Sequence, residues 1–272
     1  MNLLYSIIIA FSMYSALPMP RADWTEERMK RLFCAFPLVG AVEGLFLVLL
    51  DRFLTAAGGT VIASPAGILF RTLLYTAFPI LYTGGIHMDG YLDVTDARKS
   101  FGDRAKKLEI MKDPHVGAFA IIGCGGYLLL YGAGMSLTAG WTGTMGNIGL
   151  NRSLTAFACM LPAERALSAL AVTFLPKAKK EGLAAAFSRD AKAQAVGVSS
   201  AVWIILSGAG ALYFGRTAGI LLILAAAGTY LWFHRMCLKE FGGVTGDLAG
   251  YFLQSCERNM LLVLAFARLF LL

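Results

Sequence analysis

FCAFPLVGAVEGLFLVLL, residues Phe33–Leu50, is a run of eighteen positions with one charged side chain, Glu43. An α-helix rises about 1.5 Å per residue, so the ~30 Å hydrocarbon layer of a bilayer needs about 20 such residues to cross it. Runs of the same kind stand at roughly 2–17, 64–83, 116–138, 151–175, 194–214, 218–236 and 254–272. They are rich in Ala, Leu and Ile and lack the alternating segments of about ten residues that a transmembrane barrel shows. The expected fold is all-α, a polytopic integral membrane helical bundle of seven or eight transmembrane helices. Residues 2–17 are short for a span, and either cross or form a re-entrant or interfacial segment.

Composition points the same way. The chain is 57% hydrophobic and 15% charged, with a mean hydropathy of +0.65. A soluble domain carries roughly 45–50% apolar and about 25% charged residues. No linker, low-complexity run or repeat divides the chain, so a single domain over 1–272 is expected. No basic stretch precedes the first apolar run and no cleavage site follows it, so no cleaved signal peptide is expected. The five cysteines lie in or beside apolar segments without CxxC spacing, which reads as packing rather than zinc binding.

The basic residues set the sidedness. Four polar loops, 18–31, 84–115, 177–192 and 235–250, hold 17 of the 24 lysines and arginines. With eight spans all four fall on one side, and the other side's loops carry little more than Arg52 and Arg216. The positive-inside rule makes the basic side cytoplasmic and puts both termini outside. The net charge of +7 is then mostly topology and needs no nucleic acid to explain it. Within the apolar runs stand Glu43, Arg71, Arg152, Glu164 and Arg165. Intramembrane ionisable groups are functional candidates by default, although Glu43 and Arg71 can simply pair with each other.

Charge gathers in GGIHMDGYLDVTDARKSFGDRAKKLEIMKD, Gly84–Asp113, which holds six of the 17 acidic residues. Asp89, Asp93 and Asp96 are spaced i, i+4, i+7, which keeps them on one face of a helix. Like charges on one stripe repel, so a cation is expected to offset them. All-oxygen ligands suit a hard ion such as Mg²⁺, which keeps waters and bridges to substrate phosphates. His87, at the mouth of the segment, positions a phosphate, acts as an acid or base, or caps the span. Asp103 precedes RAKKLEIMK and is expected to cap a short amphipathic helix. Glu109 and Asp113 share a face and either complete the metal site or pair with Lys106 and Lys112.

The second polar stretch is KEFGGVTGDLAGYF, Lys239–Phe252. Gly242, Gly243 and Gly246 free the backbone to approach a ligand, and Thr245 and Asp247 add oxygens. Successive N–H groups ahead of a helix can cradle an anion. A flexible turn with Asp247 as a helix cap is the plainer alternative, and no P-loop lysine follows. Glu257, further on in the last run, is either a buried ligand or an ion-pair partner.

Several of these motifs together resemble one family. GGIHMDGYLDVTDA followed by KKLEIMKDPHVGAFA is similar to cobalamin synthase, the adenosylcobinamide-GDP ribazoletransferase family. SALPMP (Ser15–Pro20), FPLVGAVEG (Phe36–Gly44), LPKAKKEGLAAAF (Leu175–Phe187) and GGVTGDLAGYFLQSCE (Gly242–Glu257) resemble its other segments in the same order. The resemblance implies a Mg²⁺-dependent enzyme of the prokaryotic cytoplasmic (inner) membrane, with its active site facing the cytoplasm. It would join α-ribazole or α-ribazole 5′-phosphate to adenosylcobinamide-GDP, giving adenosylcobalamin or its 5′-phosphate and releasing GMP.

On that reading Asp89, Asp93 and Asp96 hold one or two Mg²⁺ on the pyrophosphate, with Glu109, Asp113 and Asp247 as further metal candidates. One of the three aspartates, or His87, takes the proton from the nucleoside 5′-hydroxyl. Lys112 and Arg98 neutralise non-bridging oxygens. Gly243, Thr245, Gly246 and Asp247 shape a second wall for phosphate or metal. The lipid bilayer is a partner throughout, and a homo-oligomer is compatible with the wide pocket a corrinoid needs. The rivals are a CDP-alcohol phosphotransferase-like membrane enzyme, whose aspartate spacing differs, and a membrane cation transporter. A transporter would place carboxylates at mid-membrane in paired repeats, and no repeat is visible.

Overall fold

The computed structural model describes residues 2–139, 151–178 and 192–270. Most of the predicted loop 177–192, with Lys179, Lys180, Arg189 and the motif after Ala178, lies outside the described residues. Among the described residues all extended regular structure is helical: α1 (Asn2–Tyr14), α2 (Glu26–Met29), α3 (Leu32–Ala57), α4 (Pro65–Thr83), α5 (Ile86–Lys99), α6 (Arg104–Ile110), α7 (Ala118–Ala139), α8 (Arg152–Phe174), α9 (Ala193–Gly215), α10 (Thr217–Met236) and α11 (Gly246–Phe270). Among the described residues six helices are long and apolar enough to cross a membrane, against the seven or eight spans expected, and α1 is a shorter apolar helix. A belt of exposed aliphatic side chains, among them Leu49, Leu69, Leu73, Ile121, Leu129 and Ile205, is the surface a lipid chain would cover. The expected multi-pass helical architecture is thus the observed one.

Local chemistry sets many of the boundaries. Ser64 Oγ accepts from Gly67 N at 3.1 Å, and Pro65 opens α4 with its preset φ. Asn151 Oδ1 accepts from Leu154 N at 3.1 Å and starts α8. Asp103 Oδ1 accepts from Lys106 N at 2.8 Å, the cap expected for α6. Between α4 and α5 the chain turns through Gly84 and Gly85 at φ of 64° and 82°. Side chains with a Cβ adopt that region only at a cost.

Two of the helix pairs that pack backbone to backbone bear on the site. Gly40 and Gly44 of α3 sit on α8, where an added Cβ would lie 2.6 Å from the Leu161 carbonyl oxygen and 2.5 Å from that of Ala158. This is the small-xxx-small contact of membrane helices, and it places Glu43, between the glycines, against Arg165. On α5, a Cβ on Gly90 would lie 2.8 Å from Asp247 Cα. One on Gly250 of α11 would lie 3.0 Å from the His87 carbonyl oxygen. The order of these contacts makes α5 and α11 antiparallel.

Three expectations are corrected. Residues 84–115 are not simply a polar loop: α5 is a fourteen-residue helix with His87, Met88, Gly90, Tyr91, Val94 and Ala97 buried in the bundle. Its partner begins earlier than expected, since α11 starts at Gly246 and absorbs half of the glycine stretch. In both cases tertiary packing supplies what local hydropathy does not. Nor does Glu43 pair with Arg71. Arg71 Nη2 lies 2.5 Å from Asp51 Oδ1, and Tyr75 Oη donates to the same oxygen at 3.0 Å. Arg152 is exposed and donates to the Tyr213 and Phe214 carbonyls at 3.0 Å, satisfying the C-terminal end of α9.

Candidate active site

The α5–α11 contact joins the two polar motifs. Asp247 packs on Gly90, the neighbour of Asp89, and both aspartates line one cavity of about 140 Å³. Its inner wall is apolar and aromatic, with Tyr14 from α1, Phe33 and Phe36 from α3, Val172 from α8 and Leu253 from α11. His87 is 3% exposed. Its ring lies 5.9 Å from that of Tyr14 and 6.1 Å from that of Phe36. Among the described residues neither ring nitrogen has a hydrogen-bond partner. A general base is ordinarily oriented by a third group, and no described residue orients His87.

The three aspartates of α5 share a face but not an environment. Asp89 is exposed, whereas Asp93 and Asp96 are half-buried. The Asp96 carboxylate packs on Gly117, just ahead of α7, where there is no room for a Cβ. Among the described residues, Asp89 and Asp96 have no hydrogen-bond or ion-pair partner, and no group of three or more acidic, His or Cys side chains stands ready to hold a metal. Mg²⁺ seldom needs such a cage, because one or two carboxylates plus substrate phosphates suffice. Two all-oxygen donors converging on one cavity from α5 and α11 therefore fit Mg²⁺.

The other predicted residues are held elsewhere. Glu109 is exposed and pairs with Lys106 at 3.1 Å. Asp113 is exposed and accepts from His115 N at 2.9 Å, with His115 Nδ1 at 2.6 Å. Those contacts hold the Asp113 carboxyl below its usual range. Neither acid lines the cavity, and Lys112 is exposed. Arg98 is engaged within the protein. Its Nε and Nη2 grip Glu240 at 3.2 and 3.0 Å, its Nη1 donates to Tyr251 Oη at 2.8 Å, and Lys107 Nζ reaches Glu240 at 2.9 Å. This network ties α5 and α6 to the π-helical turn Cys237–Phe241 at the end of α10.

In the glycine stretch, two residues serve the backbone rather than a ligand. Gly243 abuts the chain at Pro176–Ala178, with a Cβ there only 2.6 Å from Ala178 N. Val244 N donates to Pro176 O at 2.8 Å and Ala178 N to Val244 O at 3.1 Å, so the segment after α8 docks on the segment before α11. Thr245, not Asp247, is the helix cap, its Oγ1 accepting from Leu248 N at 3.1 Å. That leaves Gly246 and Asp247 on the cavity.

A second cleft, of about 780 Å³, opens on the other face of α5. Tyr91 and Tyr251 stack across it at 5.2 Å, and Arg98, Lys107 and Arg258 line it. The bundle also holds a wholly buried ionic cluster. Arg165 Nη2 reaches Glu43 Oε2 at 2.6 Å and Glu257 Oε1 at 3.4 Å, its Nη1 contacts Glu164, and Tyr131 Oη donates to Glu257 at 3.3 Å.

Sequence reasoning missed Asp51, Glu240, Tyr14 and Phe36. The last two adjoin or fall in the SALPMP and FPLVGAVEG motifs, which was the available signal. Asp51 and Glu240 gave none, since their partners lie 20 and 142 residues away.

The family model for cobalamin-5-phosphate synthase matches residues 6–265. A protein of Lachnoclostridium phytofermentans named adenosylcobinamide-GDP ribazoletransferase is 39% identical over 259 residues, covering 94% of this chain and 92% of its own. Proteins of the same name from Pseudomonas putida and Pseudomonas entomophila are 32% and 31% identical, covering 95% and 94% of this chain and 98% and 97% of their own. No solved structure matches. With the α5 and α11 motifs meeting at one cavity and this similarity running nearly end to end, the chain belongs to the cobalamin-5-phosphate synthase family.

Proposed function

We propose that the chain joins α-ribazole or its 5′-phosphate to adenosylcobinamide-GDP at the α5–α11 seam and releases GMP. The observation that carries the placement is the glycine contact that sets Asp89 and Asp247 on one cavity. A ribose hydroxyl oxygen attacks the phosphorus that bears the cobinamide. The pyrophosphate P–O bond breaks, GMP leaves with the bridging oxygen, and the hydroxyl proton passes to a carboxylate at the seam. The 5′-hydroxyl expected from the sequence is replaced here by a secondary one. A cobalamin 5-phosphate keeps its phosphate on the 5′ oxygen, which is then not free to attack.

Asp89 and Asp247, with Asp93 one turn along α5, would hold Mg²⁺ against the pyrophosphate. Bound there, the ion supplies charge neutralisation for the phosphoryl oxygens. Asp89 is the acceptor for the hydroxyl proton, since it is exposed at the cavity and no described residue competes for it. The Arg98–Glu240–Lys107 network positions α5 rather than neutralising substrate. Glu109, Asp113 and Lys112 lie outside this machinery.

The seam belongs on the cytoplasmic face of a prokaryotic inner membrane. Its support is the positive-inside rule, because Arg104 and Lys107 sit on the same end of the bundle as the start of α11. The test is GMP release from adenosylcobinamide-GDP by the chain in liposomes, with and without α-ribazole and Mg²⁺. Release that needs both supports the reading, and release indifferent to α-ribazole overturns it.

A further inference from the structure

The inner half of the cavity has its own chemistry, distinct from the carboxylates at its mouth. His87 is buried with two ring nitrogens that have no partner among the described residues, and Ser168 is the other buried polar side chain on the lining. Tyr14, Phe33, Phe36, Val172 and Leu253 are among the side chains that make up much of the rest of the wall. A buried polar group without a partner costs about 1–3 kcal/mol. Such groups are rare in native proteins and point to something that completes them.

Four planar or ring-bearing groups take part in the proposed reaction, and they differ in polarity. Guanine and the adenine of the adenosyl ligand present hydrogen-bonding atoms on several edges, and in this pocket most of them would go unpaired. The corrinoid is larger and is fringed with amides. The benzimidazole base of α-ribazole is an apolar bicycle with methyl groups and a single free ring nitrogen, its other nitrogen being bonded to ribose.

We infer that the cavity beneath Asp89 and Asp247 is the subsite for the nucleoside base, with the benzimidazole between the aromatic side chains and its free nitrogen bonded to His87. This deepens the proposed reaction and rests on it. Aromatic rings from α1 and α3 supply stacking surface. The ring of His87 supplies the one polar contact the base can use. With the base seated inward, the ribose stands at the mouth, beside the carboxylates that receive its proton. His87 is on this reading a specificity residue rather than a phosphate ligand or a base.

The experiment pairs equilibrium dialysis of α-ribazole, with EDTA and without the corrinoid substrate, with steady-state GMP release by the chain in nanodiscs. Wild type is expected to bind α-ribazole, to lose it to free dimethylbenzimidazole, and to keep it in the presence of guanosine. His87→Phe fills the space but removes the hydrogen bond. It should raise KM for α-ribazole about tenfold and leave KM for adenosylcobinamide-GDP within twofold. His87→Gln should recover part of the loss, and Phe36→Leu should raise the same KM about threefold. A matching elution profile on size exclusion shows that a variant is folded. An unchanged KM for α-ribazole in folded His87→Phe and Phe36→Leu, or displacement by guanosine, overturns the inference. Wild type that binds α-ribazole but releases no GMP overturns the reaction and leaves the base pocket standing.

Discussion

The chain carries two sets of three carboxylates, and they are handled in opposite ways. Glu43, Glu164 and Glu257 come from α3, α8 and α11 and converge on Arg165, all four almost wholly inaccessible. Asp89, Asp93 and Asp96 lie along one face of α5, and among the described residues neither Asp89 nor Asp96 has a protein partner. Where the chain supplies the cation, the cluster is a tie between helices. At Asp89 and Asp96, where no described residue supplies it, the charge is left for something that arrives. The same residue type therefore means architecture in one place and chemistry in the other, and what separates them is the origin of the countercharge.

That contrast can be broken experimentally. The largest effect is expected from Arg165→Met, which strands buried carboxylates without their cation. Breaking a buried pair from one side costs about 3–5 kcal/mol, so thermal unfolding in detergent should show a large loss of stability or no folded protein. Near-normal stability would mean the cluster is not a tie. Asp89→Asn and Asp247→Asn should each lower kcat about 100-fold or more while leaving the melting temperature close to wild type. Full activity in either would remove it from the site.

Gly90→Val should weaken both properties, since the branched side chain must part α5 from Asp247. A fall in kcat with a few degrees lost in Tm is expected. Glu240→Gln keeps the shape but removes the charge gripping Arg98 and Lys107. That network is part-exposed, so it should cost about 1 kcal/mol and a few-fold in activity. Glu109→Gln and Asp113→Asn sit outside the cavity and should leave GMP release within twofold of wild type. A large loss in either would return them to the metal site.

The fold was legible wherever the bilayer dictates it. Runs such as 64–83 and 218–236 declare themselves because a span must be apolar over its whole length, and they match α4 and α10 within about a residue. Asp103 was legible as a cap because capping is decided within four residues. α5 was not legible as a packed element, since its carboxylates and His87 lower its hydropathy while its burial comes from α11. The site was half legible. The aspartates and Asp247 stand out as charge in an apolar chain, but their meeting depends on Gly90 and Gly250, which read locally as ordinary small residues. Thr245 and Gly243 carry the same lesson in reverse. Their place in a polar motif suggested ligand contact, and the backbone uses them instead.

A double-mutant cycle on GMP release tests whether α5 and α11 build one site. Asp89→Asn, Asp247→Asn and the double variant would be compared at saturating substrate, each confirmed as folded. Residues acting as a unit are strongly non-additive, so the double variant should lose little more activity than the worse single one. Losses that multiply would show two independent sites and contradict a shared one.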